Sequence, residues 1–254
     1  MPVTGVQTCA LPICGLDGVE RNLTAGEMIE QLLLCRNRLP AGERLSHVVV
    51  MGMGEPLANL ENLLAALAFA TAPDGLGISA RHITISTVGL PAKIRRLSAL
   101  EKRFHLAVSL HAPNNELRRR IVPTADKIDL ADLLAAADEY RRATGRQVTF
   151  EYVLLGGVND ALSHAEELAW LLRGRDAFVN LIPFNPVPGL PWHAPEMDHV
   201  QRFADVLRSR GVPTKTRKRK GQSIDAACGQ LRRRLISPPA AEQLIAAIPF
   251  ESTA

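Results

Sequence analysis

From Asn22 onward this 254-residue chain alternates short β-branched runs with longer segments whose apolar residues recur every three or four positions. Strand-period runs separated by helix-period segments join one sheet as parallel strands with crossover helices, because a tight hairpin leaves no room for a helix. The series opens with a helix. Thr24 stands three residues before Glu27, the spacing of a capping box, and Met28, Ile29, Leu32, Leu33 and Leu34 follow as an apolar stripe. A strand at residues 47–51, a helix at 57–70, a strand at 82–86, a helix at 92–100 and a strand at 105–110 continue it. After a basic turn at Arg118, Arg119 and Arg120 come a helix at 130–144, a strand at 148–155 and a helix at 164–173. A strand at 178–183, a helix at 198–210 and a strand-like segment at 214–218 follow, and a short helix is expected to hold Cys228. That is too many βα units for a simple binding module and too few for the roughly eight of a closed barrel. The expected fold class is therefore α/β, a partial open (β/α) barrel of six strands.

With 46% hydrophobic and 22% charged residues, the chain can bury a full core as one larger domain or two small ones. No run approaches the roughly eighteen apolar residues of a membrane helix, and the N-terminus lacks a basic region followed by an apolar stretch. The expectation is a soluble, cytoplasmic protein with no membrane partner. The cysteines Cys9, Cys14, Cys35 and Cys228 are irregularly spaced and form no disulfide framework. Cys35, following Leu32, Leu33 and Leu34, is expected to be a small buried hydrophobe. The net charge of +4 is unevenly spread: residues 208–234 hold ten Lys or Arg against one acid, Asp225. Such a stretch is either a solvated face or a phosphate-contacting surface.

In such barrels functional residues gather at the C-terminal ends of the strands, and here the loops at 52–56, 86–89, 109–114, 156–160 and 185–186 are the unusual ones. Any strand-to-helix turn also favours their Gly, Pro and Asn. Met51-Gly52-Met53-Gly54-Glu55-Pro56 ends an apolar run with two glycines, which permit close backbone approach, and a carboxylate suited to a cationic amine. Ser109-Leu110-His111-Ala112-Pro113-Asn114 offers a hydroxyl, an imidazole and an amide, a set that either holds a ribose or carboxylate or caps the next helix. Ala226-Ala227-Cys228-Gly229-Gln230-Leu231 places a cysteine between small residues just after a basic run, where positive charge favours a thiolate; an inert cysteine is the alternative.

Taken in order, these motifs resemble the RlmN-type radical SAM adenine methyltransferases. The resemblance is carried by Arg21-Asn22-Leu23-Thr24-Ala25-Gly26-Glu27, Gly52 to Pro56, Ser86-Thr87-Val88-Gly89, Ser109 to Asn114 with Glu116-Leu117-Arg118, Val153 to Asp160, Asn180-Leu181-Ile182-Pro183-Phe184-Asn185-Pro186 and Ile224 to Leu231. It implies a TIM-like barrel of the radical SAM type. It also implies S-adenosylmethionine contacts from Gly54, Glu55, Ser86, Ser109, Leu110, His111 and Asn185, and Cys228 as the catalytic methyl carrier. Carbon 2 of adenine lies between two ring nitrogens and is too electron-poor to attack a sulfonium methyl. The family answers with a [4Fe-4S] cluster that cleaves a second S-adenosylmethionine to a 5′-deoxyadenosyl radical, which activates the methyl held on sulfur. The implied substrates are an adenine of 23S rRNA at the peptidyl-transferase centre and the adenine 3′ of certain tRNA anticodons, presented as unstacked bases. An external electron donor such as flavodoxin and a monomeric state are also implied. A related Cfr-type enzyme, methylating carbon 8, is the runner-up, and a non-catalytic remnant that binds S-adenosylmethionine or RNA is a third reading.

The resemblance breaks at the N-terminus. The family binds its cluster through C-x3-C-x2-C, and counting back from Arg21-Asn22-Leu23 puts those ligands at Gly5, Cys9 and Pro12, so no metal ligand is assigned. Residues 3–13 resemble the translation of a DNA-sequencing adapter. The expected division is a foreign segment at 1–14, a methyltransferase core at 15–235 and a tail at 236–254, with the first barrel strand and the cluster loop missing or replaced.

Overall fold

The computed structural model describes residues 21–51, 54–122, 126–186 and 190–217. Helix α1 (Ala25–Asn37) opens them, and the capping box forms: the Thr24 side chain accepts from the Glu27 amide while the Glu27 carboxylate accepts from the Thr24 amide at 2.8 Å. Strand β1 (Val48–Val50) leads through a 3-10 turn (Pro56–Asn59) into α2 (Leu60–Thr71). Next come β2 (Ile83–Thr87), α3 (Pro91–Ser98), β3 (His105–Ser109), α4 (Asn115–Ile121), α5 (Leu130–Thr144) and β4 (Val148–Leu154). Helix α6 (Leu162–Leu171), β5 (Ala177–Pro183), α7 (Met197–Ser209) and β6 (Thr214–Thr216) complete the series.

The six strands form one parallel sheet in sequence order, β1 to β6, so each crossover steps to the adjacent strand and the sheet does not close. The expected partial α/β barrel is what the chain builds. Alternation along each strand sorts the side chains. Ile83 and Ile85, Leu106 and Val108, Phe150, Tyr152 and Leu154, and Val179 and Leu181 join a core with Leu63 and Leu67 of α2, Ile94 and Leu97 of α3, Leu133 of α5 and Phe203 of α7. Each such side chain, fully buried, contributes roughly 1.5–3 kcal/mol. Ser86, Ser109, Glu151 and Asn180 lie at the intervening positions, on the opposite face. The strand register sets Ser109 beside Glu151 and Glu151 beside Asn180.

Two expectations are corrected. The basic stretch around Arg118 is helix α4 rather than a turn, because the Asn114 side chain caps it by accepting from the Leu117 amide at 2.8 Å. Cys35 is exposed rather than buried. Met28 and Leu32 are the α1 residues packed against the main core, and Cys35 in the last turn lies outside that contact. No described helix is long and apolar enough to cross a membrane.

Candidate functional site

Parallel strands deliver all their C-terminal ends to one rim, where the next loops begin. A second hydrophobic cluster stiffens this rim. Ala112, Leu117 and Ile121 from the β3–α4 side pack with Val153 and Leu155 at the end of β4 and with Phe184 and Trp192 beyond β5. The rings of Phe184 and Trp192 meet edge to face at 6.0 Å. The Gly156 amide donates to the His193 carbonyl at 2.9 Å, and a Cβ on Gly156 would stand 2.5 Å from the His193 ring, so a larger residue there would push that exposed ring aside.

Gly54 has φ +110, a conformation that favours glycine and lets the chain turn from β1 into Glu55. Glu55 is only 1% exposed. One carboxylate oxygen accepts from the Leu57 amide at 2.9 Å and the Thr87 hydroxyl at 2.7 Å, and the other accepts from the Val88 amide at 2.7 Å. The acid read from sequence as an amine ligand thus also caps the 3-10 turn and ties the end of β1 to the end of β2. Burial outweighs these hydrogen bonds and pushes its pKa up to about 7. A carboxyl raised on folding binds its proton more tightly in the native state, so its stabilisation is present at low pH and lost as pH rises. Going from 4.5 to about 7 corresponds to roughly 3 kcal/mol. Urea denaturation at a series of pH values is expected to show this loss across that window in the native sequence and its absence in Glu55→Gln, which stays neutral.

Ser109 closes β3, Leu110 is fully buried beneath the rim, and Ser86 lies one residue before the end of β2. His111 is 3% exposed and has φ +58, unusual for a residue with a side chain. Its Nδ1 accepts from the Val153 amide at 3.1 Å. Asn185 follows β5, and its side-chain oxygen is buried with no hydrogen-bond partner. A buried acceptor left unsatisfied in this way suits a ligand donor. The structure thus gathers Gly54, Glu55, Ser86, Ser109, Leu110, His111 and Asn185 at the C-terminal ends of β1, β2, β3 and β5. Cys228 lies outside the described residues, as does the short helix expected around it.

Sequence reasoning missed two residues of this rim. Arg118 is 0% exposed, and its guanidinium donates to the carbonyls of Val88 at 2.6 Å, Leu110 at 3.2 Å and Ser109 at 3.3 Å. It is a buried cation held by backbone dipoles at two strand ends, and desolvation pushes its pKa down to about 10. Asn159, also fully buried, bonds Leu155, Val153 and His111 with one side chain. Both stand in motifs that carry the resemblance, but neither periodicity nor composition separates a lone arginine in a basic run or an asparagine in a loop from surface residues. Of the basic stretch, Arg208 pairs with Asp205 at 3.0 Å and Arg210 with Glu166 at 2.9 Å; Lys215 and Arg217 are exposed, and residues 218–234 lie outside the described set.

The fold and rim define a class of protein: residues 18–169 match the Radical SAM superfamily. The chain is 57% identical over 225 residues to the Probable dual-specificity RNA methyltransferase RlmN of Rhodopirellula baltica, covering 89% of this chain and 61% of that protein. It is 50% identical to the protein of the same name from Desulforudis audaxviator, covering 89% of this chain and 70% of that protein. A crystal structure of a radical SAM methyltransferase from Sphaerobacter thermophilus superposes with a TM-score of 0.84 at 45% identity, covering 89% of this chain and 67% of that one. The chain belongs to the RlmN family of radical SAM RNA methyltransferases.

The two groups tied to the family fare differently here. The chemistry of the rim suits S-adenosylmethionine, because the buried Asn185 oxygen just after β5 lacks a hydrogen-bond partner and can take a ligand donor. The residues present do not fit a three-thiolate cluster. Only Cys9 occupies one of the three ligand positions that the resemblance gives, and Gly5 and Pro12 hold the others, so one thiolate stands where three are needed.

Proposed function

We propose that this barrel is the S-adenosylmethionine-binding half of a cytoplasmic enzyme that methylates carbon 2 of adenine in 23S rRNA and in tRNA 3′ of the anticodon. The observation that carries the reading is the convergence, on one rim, of Glu55, Ser109, His111 and the unsatisfied Asn185 oxygen. Gly54 and Glu55 bring the end of β1 against the cofactor, the Glu55 carboxyl holding that turn in place, and Ser86, Ser109 and Asn185 serve its polar groups. Cys228 is the methyl acceptor and carrier. Its thiolate attacks the sulfonium methyl, the new S–C bond forms as the old one breaks, S-adenosylhomocysteine leaves, and the thiol proton passes to solvent. The basic stretch at residues 208–234 lies against RNA phosphates, with the target adenine unstacked to reach the rim. An external donor such as flavodoxin supplies electrons to the complete enzyme, which acts as a monomer. The chain as it stands, with residues 1–14 in place of a cluster loop, does not run the radical half of the reaction.

The test is nucleoside mass spectrometry of rRNA from a host lacking its own enzyme, complemented with this barrel carrying a complete N-terminal region with the three-cysteine loop. The expected product is 2-methyladenine. Formation of 8-methyladenine instead establishes the Cfr-type reaction, and no methylated adenine with a folded, cluster-loaded protein refutes both.

A further inference from the structure

His111 has its backbone, its ring and its charge state fixed together. Its φ of +58 is unfavourable for a residue with a side chain, and the surroundings hold it there. The amides of Leu110 and His111 both donate to the Glu151 carbonyl, at 3.0 and 3.3 Å, and the His111 carbonyl accepts from Asn159 Nδ2 at 2.8 Å. Asn159 closes the arrangement. Its Oδ1 accepts from the Leu155 amide at 2.7 Å, and its Nδ2 also donates to the Val153 carbonyl at 2.7 Å, so one fully buried side chain fixes both His111 and the strand end that touches the ring.

The ring contact decides the tautomer. A nitrogen that accepts a hydrogen bond carries no proton, so with Val153 donating to Nδ1 the neutral imidazole bears its hydrogen on Nε2. Among the described residues Nε2 has no hydrogen-bond partner. Protonating Nδ1 would set two N–H groups against each other in a buried space. Neighbouring charges do not favour it either. The Arg118 cation grips Ser109 and Leu110, immediately before the histidine. The surrounding carboxylates are engaged elsewhere: Glu55 with Leu57, Thr87 and Val88, Glu151 with Asn180, Asp160 with Gly157, and Glu167 with Asn114. Burial and Arg118 accordingly push the His111 pKa down to about 3.

We propose that Asn159 is a positioning residue that presents His111 as a permanently neutral donor, through Nε2–H, to an acceptor atom of bound S-adenosylmethionine. The proposal rests on reading this rim as the S-adenosylmethionine site. The ligand chemistry explains why neutrality matters. S-adenosylmethionine carries a sulfonium and an ammonium, which an imidazolium would repel, whereas a neutral N–H serves a carboxylate oxygen or a ring nitrogen without adding charge.

Two-bond ¹H–¹⁵N spectra of histidine-labelled protein test this directly, with His111→Gln identifying the resonances. The expected pattern is an unprotonated Nδ1 and a protonated Nε2, unchanged from pH 5 to 8; a protonated Nδ1 or a titration in that range overturns the proposal. S-adenosylmethionine is then added. The Nε2–H resonance is expected to shift, and calorimetry is expected to show about tenfold weaker binding in Asn159→Ala and in His111→Ala, with His111→Gln, whose amide can still donate, binding more tightly than His111→Ala. Asn159→Asp, which keeps the bond to Leu155 and loses both donors, serves if the alanine variant does not fold. Binding with Nε2 unmoved overturns the donor role and leaves the site reading intact. No binding by a folded chain overturns the site reading and with it the named ligand, while the tautomer is decided by the unliganded spectrum alone.

Discussion

Anaerobic reconstitution of this chain with iron and sulfide is expected to give no stoichiometric [4Fe-4S] absorbance and no 5′-deoxyadenosine from S-adenosylmethionine. A radical SAM cluster needs three thiolates from one loop, leaving an iron open for the cofactor's amino and carboxyl groups. Cys9 is the one ligand in register, and Cys14 stands five residues further on, a spacing that matches neither interval of C-x3-C-x2-C. Cys35 lies exposed in the last turn of α1, and Cys228 is almost two hundred residues away in sequence. Replacing residues 1–14 with a loop that restores the three cysteines in the same register is expected to bring back both signals. A near-stoichiometric cluster with cofactor cleavage in the unaltered chain would sink this account.

The second large effect concerns the carrier. In a chain repaired in this way and extended to the length of its relatives, Cys228→Ala is expected to abolish 2-methyladenine completely while leaving S-adenosylmethionine binding unchanged. The asymmetry follows from the chemistry. The proposed ligand contacts lie at strand ends in residues 54–185, whereas in the proposed reaction the sulfur at 228 is needed only to hold the methyl after it leaves the sulfonium. Serine at the same position is expected to fail equally, because a hydroxyl near its ordinary pKa is a far poorer nucleophile than a thiolate. Peptide mass spectrometry offers an independent readout, with S-methylcysteine at position 228 in the native sequence. Unimpaired methylation by Cys228→Ala would reduce this cysteine to the inert reading and remove the proposed mechanism.

The strands and most helices were legible because their periods are set by burial: Ile83 and Ile85, or Phe150, Tyr152 and Leu154, must alternate if one face is to reach the core. The placement of candidate residues just beyond strand ends was legible too, as at His111 and Asn185. What stayed hidden depends on long-range partners. Arg118 and Asn159 reach Val88 and His111, 30 and 48 residues away, and periodicity does not reveal such contacts. Helix α4 was hidden for a related reason, since its seven residues include three consecutive arginines and its cap is one asparagine side chain. Cys35 was misread because an apolar run sets the stripe of a helix but not the point at which its neighbour stops covering it.

The open ends of the sheet carry a practical consequence. Strand β1 is three residues long, pairs on one side with β2, and bears Val49 at 59% exposure, with Met51 just beyond it at 42%. Among the described residues no strand pairs with its outer row of amides and carbonyls, which bears no lysine or proline and can template an extended peptide that comes near. Protein concentration and the choice of solubilising fusion will therefore decide how cleanly this barrel can be handled in the laboratory.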